Sequence, residues 1–453
     1  MNAAAKRWGH QTELALANFP ISGEPVPWSV IRALAMVKEA AADVNESAGV
    51  LDVARADAIR VAAQEIVDGQ MMDQFPVDVF QTGSGTSTNM NVNEVIASRA
   101  SEVSGIDVHP NDHVNASQSS NDAFPTAVRM ACVDGASNGL LPELRLFAAS
   151  LRTLSARHTE TVKLGRTHLM DAVPLTFGQE VGGWARAVEL GCQRVEAALT
   201  RTVELPIGGT AVGTGINAPA DFGRGVAALL RARTGFAFVE ASDHFEAQST
   251  LDAIVELSGA VKVVALSLNK IAGDVRLLGS GPVGGLGEIH LPELQAGSSI
   301  MPGKVNPVVP EAVQQVVAQV VGNDATITFA STLSTLQLPT AWPVVARAMT
   351  SSLRLLGAVT AVFRLRCVDG LEPDVERMRQ LAQQSPTIVT AIAPAIGYDA
   401  AVELARSASE QGLTIREAIE AAGLPAEVGH AIDDLLALTR PRAEPSAEAK
   451  PGG

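Results

Sequence analysis

Four short polar segments carry most of the residues that could do chemistry. They span 82–91, 109–122, 165–171 and 297–307, and they combine hydroxyl and amide side chains with glycine and few carboxylates. Backbone N–H groups near helix starts, together with Ser, Thr and Asn side chains, can donate hydrogen bonds to an anion, and Lys304 adds a positive charge. This set of donors predicts a site for a carboxylate ligand.

Each segment also has an ordinary structural explanation. The segment Ser119-Ser-Asn-Asp122 is typical of a helix cap, the run 82–88 is typical of a flexible loop, and a histidine such as His168 is often simply exposed. The segment 297–307 is harder to explain in this way. Its glycines, serines, prolines, lysine and asparagine form a costly irregular loop inside an otherwise helical pattern.

The elements that must position these segments are long helices. Residues 28–69 are predicted to be helical, with Asp68-Gly69 as the stop. Five longer amphipathic stretches follow, at 125–157, 178–204, 245–279, 307–330 and 343–366. Helices of about 50 Å are too long to stand alone in a globular protein, so the pattern predicts a bundle. The stretch 312–321 is almost wholly apolar, which favours packing between the bundles of several subunits.

Composition limits the class of protein. The chain has 453 residues, with 34 Lys+Arg against 49 Asp+Glu and a net charge of −15, which argues against nucleic-acid binding. Its length favours two or three domains. We expect an N-terminal domain at 1–124 with the Ser/Thr/Asn-rich loops, a central bundle at 125–367, a small helical domain at 368–440 and a disordered tail at 441–453.

Neither a metal nor a membrane is expected. Cys132, Cys192 and Cys367 are far apart and lack metal-ligand or redox spacing, so we expect no cofactor and a reducing cytoplasm. The N-terminal residues contain charges and no continuous apolar run, and no stretch has the ~20 apolar residues of a membrane span.

The order of the motifs resembles a known family. Gly297-Ser-Ser-Ile-Met-Pro-Gly-Lys-Val-Asn306 is similar to the signature loop of the fumarase/aspartase superfamily. The other motifs follow in the family's order: Trp8-Gly-His-Gln-Thr12, Ser84-Gly-Thr86, His109-Pro-Asn-Asp112, Ser119-Ser-Asn121, Thr167-His168 and Gly208 to Gly215. The resemblance covers nearly the whole chain and is strongest to class II fumarases, which need no metal.

The resemblance implies a mainly α, three-domain fold. Its central long five-helix bundle would assemble into the core of a homotetramer, with active sites shared between subunits and a small dicarboxylate as substrate. By the same resemblance, Ser298, His168 and Glu311 are the catalytic residues, with Ser298 as base. Substrate binding falls to a larger set: Ser84, Thr86, Ser119, Ser120, Asn121, Thr167, Ser299, Lys304 and Asn306. A second carboxylate site falls to His109, Asn111 and Asp112.

Three functions stay open at this point. Aspartases usually have Gln where His168 stands, Ser-Thr-Asn in place of Ser119-Ser-Asn121, and Ala in place of Gly303, so these positions favour a fumarase. The alternatives are a related lyase that eliminates ammonia or an amine, and a non-catalytic paralogue. One departure from the family lies at 336–343, where Pro339 removes an amide donor and predicts a reshaped start of the fifth bundle helix.

Overall fold

The chain folds mainly into helices. The computed structural model describes residues 6–295, 297, 299–430 and 432–440, so Ser298 and the tail 441–453 lie outside the described residues. The α-helices are α1 (His10–Asn18), α2 (Trp28–Ser47), α3 (Val53–Val67), α4 (Thr86–Ser104), α5 (Ser120–Asp134), α6 (Leu141–Arg157), α7 (Phe177–Thr202), α8 (Phe222–Thr234), α9 (His244–Ser249), α10 (Asp252–Leu278), α11 (Val308–Ser331), α12 (Trp342–Arg366), α13 (Val375–Gln384), α14 (Ala393–Ile396), α15 (Tyr398–Gln411), α16 (Ile415–Ala421) and α17 (Ala426–His430).

Short strands and turns connect these helices. Four two-stranded sheets pair β1 (Val162–Thr167) with β2 (Met170–Thr176), β3 (Glu204–Leu205) with β4 (Val239–Glu240), β5 (Ile289–His290) with β8 (Glu372–Pro373), and β6 (Ser334–Thr335) with β7 (Leu338–Pro339). The β3–β4 pair is parallel and the others are antiparallel. Turns of π-helix cover Pro110–Val114 and Gly135–Leu140, and 3₁₀ turns cover Met72–Gln74, Val368–Gly370, Pro386–Ala391 and Ala437–Thr439.

The five long stretches predicted from the sequence are helical, with two interruptions. The first stretch is divided into α5 and α6 by the π-helical turn Gly135–Leu140. The third is divided into α9 and α10, because Thr250 at the end of α9 is extended. The predicted helical region 28–69 consists of two helices, α2 and α3, because the chain turns at Gly49, whose φ is +73°. The predicted stop is confirmed, because Asp68 is the C-cap of α3.

The chain divides into two compact units, and the long helices run through both sets of residues. The first unit comprises Met1–Leu144, Leu190–Leu268 and Gln314–Thr360. The second comprises Arg145–Glu189, Asn269–Val313 and Ala361–Gly453. The division into three domains at 124 and 367 stays a prediction.

Polar contacts join the long helices within the first unit. Asp324 of α11 accepts hydrogen bonds from Ser258 and Lys262 of α10, at 2.8 and 2.6 Å. Asn323 donates to Ser352 of α12 at 3.0 Å. The contacts of Asp324 with Ser258 and of Asn323 with Ser352 are buried. They fix the register of α10, α11 and α12, because a shift of any one of these helices along its axis would leave buried polar groups unpaired.

The second unit has an aromatic contact and a separate C-terminal cluster. Phe147 of α6 packs on Phe363 of α12 with 5.1 Å between ring centroids, and Trp184 of α7 donates to Asp274 of α10 at 2.9 Å. The small helices after α12 enclose their own apolar cluster, which includes Ile392 and Ile419. None of the helices in the described residues is long and apolar enough to cross a membrane.

The segment around Pro339 is a short hairpin, and the reshaped helix start predicted there stays a prediction. Residues 334–339 form the short hairpin β6–β7, in which Pro339 is paired with Ser334. The fifth long helix begins at Trp342, and the backbone N–H of Trp342 donates to the carbonyl of Gly83 at 2.9 Å. This bond links the start of α12 to the polar loop that precedes α4.

Candidate active site

Two helix N-termini of the first unit present the hydroxyl and amide side chains singled out from the sequence. We call Ser84, Thr86, Ser119, Ser120 and Asn121 the cradle. Asn89, in the first turn of α4, donates to the Ser120 hydroxyl at the start of α5 with a distance of 3.1 Å. The two polar segments 82–91 and 109–122 are therefore brought together, and both helix dipoles favour an anion at their N-termini.

The loop before α4 depends on a glycine. Gly85 has φ +80°, and a Cβ there would lie 2.4 Å from a ring carbon of Phe124. This turn places Ser84 and Thr86 so that their hydroxyl oxygens lie 2.7 Å apart. Ser84 is buried, whereas Thr86 is partly exposed.

The cap of α5 is held by a buried carboxylate. Asp122 accepts from the backbone N–H of Ser119 at 2.9 Å, and its other oxygen accepts from Gly208 and Thr210 at 3.1 and 2.9 Å. Burial raises the pKa of Asp122 to about 6, although these hydrogen bonds and Lys38 oppose the shift. The turn after Gly208 therefore positions the cap of α5.

Asn121 also contacts this turn. Its side-chain amide donates to the carbonyl of Ala211 at 2.8 Å. The sequence places Asn89 and Asp122 in the polar segments 82–91 and 109–122 but indicates no specific role for either. The contact of Asn89 with Ser120, and those of Asp122 with Gly208 and Thr210, could not be found from spacing, because the partners are 31 and 86 or more residues apart. Only the contact of Asp122 with Ser119 is local.

The hairpin β1–β2 of the second unit carries Thr167 and His168 at its tip. His168 and Leu169 both have positive φ, 57° and 62°, and Thr167 pairs with Met170, so the two residues form a two-residue hairpin loop. Thr167 and His168 are exposed. The tip therefore presents an accessible imidazole next to a hydroxyl.

A buried ionic cluster anchors this hairpin. Arg166 donates to both carboxylate oxygens of Glu288 at 3.0 and 3.1 Å, and Lys163 lies 3.4 Å from Glu288 and 2.8 Å from Glu180. Glu288 and Lys163 are almost fully inaccessible. Bidentate pairing fixes the guanidinium plane, so Arg166 holds the strand that leads to His168.

The loop 297–307 is closed on itself and ends at the N-terminus of α11. Asn306 donates its side-chain amide to the carbonyl of Gly297. A Cβ on Gly297 would lie 1.8 Å from the carbonyl oxygen of Lys304, so only glycine fits this position. Ser299 and Lys304 are exposed, and the predicted base Ser298 lies outside the described residues.

Glu311 lies in the first turn of α11. Its carboxylate is 3.9 Å from the guanidinium of Arg276. Among the described residues, no hydrogen bond joins Glu311 to His168 within the chain. The orienting role expected for Glu311 stays a prediction.

His109 is the N-cap of the π-helical turn Pro110–Val114, which contains Asn111 and Asp112. This turn lies between α4 and α5. The Nδ1 atom of His109 accepts from the backbone N–H groups of Asn111 and Asp112 at 3.3 and 3.1 Å, so His109 caps this turn. Since that nitrogen is an acceptor, it cannot also donate to the Asp112 carboxylate 3.3 Å away. The remaining ring nitrogen is the one that could contact an anion.

Comparison with known proteins identifies the family. A lyase family model matches residues 1–322, and a model described as the fumarase C C-terminus matches residues 388–440. The class II fumarate hydratase of Corynebacterium glutamicum is 54% identical over 418 residues, which cover 92% of this chain and 88% of that protein. The class II fumarate hydratase of Mycobacterium tuberculosis is 53% identical over 418 residues, which again cover 92% of this chain and 88% of that protein.

Solved structures agree with this assignment. A class II fumarase from Schistosoma mansoni is 35% identical with a TM-score of 0.92, and 96% of each chain is covered. A Brucella melitensis fumarate lyase:delta crystallin bound to cobalt is 42% identical with the same TM-score and coverage. The fold is therefore the mainly α fumarase/aspartase fold, and the chain belongs to the class II fumarate hydratase family.

Proposed function

We propose that this chain catalyses the reversible hydration of fumarate to malate. The observation that carries the proposal is that the N-termini of α4 and α5 meet, where the hydrogen bond from Asn89 to Ser120 brings uncharged donors together. The chain also belongs to the class II fumarate hydratase family. Asp122 is the carboxylate of this region, and its charge is already met by three backbone N–H groups. The cradle is thus suited to an added carboxylate.

The chemical difficulty of the reaction explains the donors. Removal of the C3 proton of malate forms a carbanion beside a carboxylate that is already negative, so the extra charge must be stabilised as an aci-carboxylate. Lys304 and Asn306 supply a cation and an amide, and the hydroxyls of the cradle, Thr167 and Ser299 supply further donors. These groups bind the substrate carboxylates and stabilise the charge that develops.

Two groups would handle the protons. Ser298 takes the C3 proton, and loop amides with the neighbouring cation lower the cost of its alkoxide. His168, exposed at the hairpin tip, handles the proton of the departing hydroxyl, oriented by Glu311. Elimination is anti, with the two groups on opposite faces of the substrate.

The functional molecule is a homotetramer with shared active sites. Apolar side chains on the long helices support this proposal, because Leu266 of α10, Phe329 of α11 and Leu365 of α12 are exposed. Apolar faces of this kind are normally covered by another subunit. A second carboxylate site at His109, Asn111 and Asp112 stays a prediction.

The cysteines take no part in the reaction. Cys132, Cys192 and Cys367 are free and buried, and burial raises the pKa of the Cys132 and Cys367 thiols to about 12, so these two stay protonated and unreactive. We infer that the protein acts in the cytoplasm, as its cysteine usage predicts.

We expect the reaction to need no metal ion, because no Cys/His cluster in the sequence has metal-ligand spacing. Turnover should then be the same with and without EDTA. Activity that is lost in EDTA and restored by a divalent cation would contradict this.

Ultraviolet absorbance of fumarate tests the function directly. Purified protein should form fumarate from malate and consume it in the reverse direction. With aspartate, no fumarate should form. Fumarate from aspartate but not from malate would instead indicate an ammonia lyase, and no product from either would indicate a different substrate or a non-catalytic paralogue.

A further inference from the structure

Lys38 is a fully buried lysine that the reaction described above does not use. It lies on α2, its accessible surface is nil, and its ammonium donates to the side-chain oxygens of Asn115 and Gln118 at 2.9 and 3.0 Å. Burial lowers the pKa of Lys38 to about 7, although the charge of Asp122 opposes the shift. Burial of an ammonium is costly, so its retention calls for a reason.

Structural demands alone do not explain the positive charge. Both acceptors are neutral amides, and Lys38 forms no ion pair in the part of the chain that the structure describes. Lys163, by contrast, is also buried but lies against the carboxylates of Glu180 and Glu288. A neutral donor would satisfy the two amide oxygens at a lower desolvation cost.

A chain of hydrogen bonds leads from Lys38 to the cradle. The Asn115 side-chain oxygen accepts from Lys38 and also from Asn89 and Asn93, at 3.1 and 3.2 Å. The same amide nitrogen of Asn89 donates to the Ser120 hydroxyl oxygen at 3.1 Å. The ammonium is therefore three hydrogen bonds from a cradle residue.

The lysine sets the direction of these bonds together with the Gln118 carbonyl, which accepts from the side-chain nitrogen of Asn115 at 3.2 Å. An ammonium can only donate, so the oxygen of Asn115 must face it, and Asn89 must then turn its nitrogen towards both Asn115 and Ser120. Since the Ser120 oxygen accepts from Asn89, its own proton is available to donate outward. An outward hydroxyl donor is what a carboxylate requires.

We propose that Lys38 is a positioning residue for the substrate carboxylate: it orients the Asn115–Asn89–Ser120 chain so that Ser120 donates, and its ammonium adds positive charge behind the cradle, beside an Asp122 carboxylate that already accepts from three backbone N–H groups. The inference rests on the proposed function, because it takes Ser120 as a ligand of a dicarboxylate. It adds to the site a cation that lies outside the family motifs.

Two neutral variants test the role of the charge. Lys38→Met removes charge and donors, whereas Lys38→Gln removes the charge and keeps an amide donor. In both variants Asn115 still donates to the Gln118 carbonyl and accepts from Asn93, so the segment should keep its fold while the Asn115 oxygen loses its charged donor. Lys262→Met is the control, because Lys262 is partly exposed and its charge is paired with Asp324.

Steady-state kinetics with malate gives the readout. In both Lys38 variants KM should rise by about tenfold or more, as expected for the loss of a charge a few bonds away in a medium of low polarity. The inhibition constant of succinate should rise by a similar factor. Because the carboxylate is present in both ground and transition states, kcat should change by less than about threefold. Lys262→Met should keep the wild-type KM.

The outcomes separate this inference from the function itself. If wild-type protein does not turn over malate, the proposed function fails before any variant is compared. If wild-type protein is active and both Lys38 variants keep its KM, the positioning role is wrong. The role is also wrong if both variants change oligomeric state or have a much lower Tm, because the lysine would then serve folding. If kcat falls while KM is unchanged, the lysine would serve the chemical step instead.

Discussion

Arg166 and Glu288 form a bidentate ion pair two residues before the hairpin tip that carries His168. The two N–O distances are 3.0 and 3.1 Å, and Glu288 is fully buried. Glu288 also immediately precedes β5, in the segment that leads to the loop 297–307. The Glu288 carboxylate therefore holds the hairpin β1–β2, which carries His168, against the segment that leads to the loop 297–307, to which the proposed base Ser298 belongs.

Replacing this carboxylate should affect both stability and activity. Glu288→Gln leaves Arg166 without a counter-charge in a buried site, which typically costs about 3–5 kcal/mol. Turnover should fall by about tenfold or more, because a small displacement of His168 is enough to slow proton transfer. Thermal unfolding and malate kinetics measure the two effects.

A surface glutamate provides the comparison. Glu372 is 63% exposed and lies 3.9 Å from Arg157, so Glu372→Gln should alter neither Tm nor kcat appreciably. Equal effects of the two substitutions would show that the buried pair has no special role.

Asp78 predicts a specific pH dependence of stability. Burial alone would raise its pKa, but hydrogen bonds from Phe80, Ser22 and Gly23 lower it to about 2. The pKa in the folded state is below that of the unfolded chain, so the stabilisation is present above about pH 4 and is lost as the pH falls towards 2. Its size is about 1–2 kcal/mol.

The variant Asp78→Asn checks this sign. Its Tm should lie below that of the wild type at pH 7, and the difference should narrow as the pH is lowered to 3. The exposed Asp73→Asn serves as control and should keep the wild-type Tm throughout. If the difference in Tm between Asp78→Asn and the wild type does not change with pH, the hydrogen bonds to the ionised Asp78 carboxylate are not its cause.

The long helices could be predicted from the sequence because their signal is local. In the predicted stretch 245–279, apolar residues from Ile254 to Ile271 recur every three or four positions, and α10 covers all of these. The hairpin β1–β2 was not predicted, since His168 and Leu169 adopt positive φ without the Asn-Gly signature of such loops.

The candidate site shows the same limit. Ser119 and Ser120 could be recognised from their motif, but their supports could not. Asn89 reaches Ser120 and Lys38 reaches Asn115 only because α2, α4 and α5 pack together. Contacts of this kind depend on tertiary packing, which spacing in one sequence does not reveal.

Light scattering should give a mass near four times 47.1 kDa. An isolated chain would leave Phe329, which is 68% exposed, and similar apolar side chains in water. Dilution should not produce active monomers if the sites are shared between subunits. An active monomer at micromolar concentration would contradict the shared site.

His168→Asn should lower turnover while leaving the fold intact. Asn tolerates positive φ well, so the hairpin loop can keep its conformation. The fall in kcat should be smaller than for the base if water partly replaces the imidazole. His290→Asn is the control, because His290 is exposed and lies near Asp374. Unchanged kcat in His168→Asn would remove His168 from the mechanism.

The assignment of the base is tested within one pair of neighbours. Ser298→Ala removes a single hydroxyl and leaves the rest of the chain unchanged, so we expect folding and assembly to be unaffected. Turnover should fall by the ~10²- to 10⁴-fold that a positioned acid or base contributes. KM should change much less, because Lys304, Asn306 and the cradle still bind the carboxylates. Ser299→Ala should act mainly on KM. Near-normal turnover in Ser298→Ala with loss of activity in Ser299→Ala would move the role of base from Ser298 to Ser299.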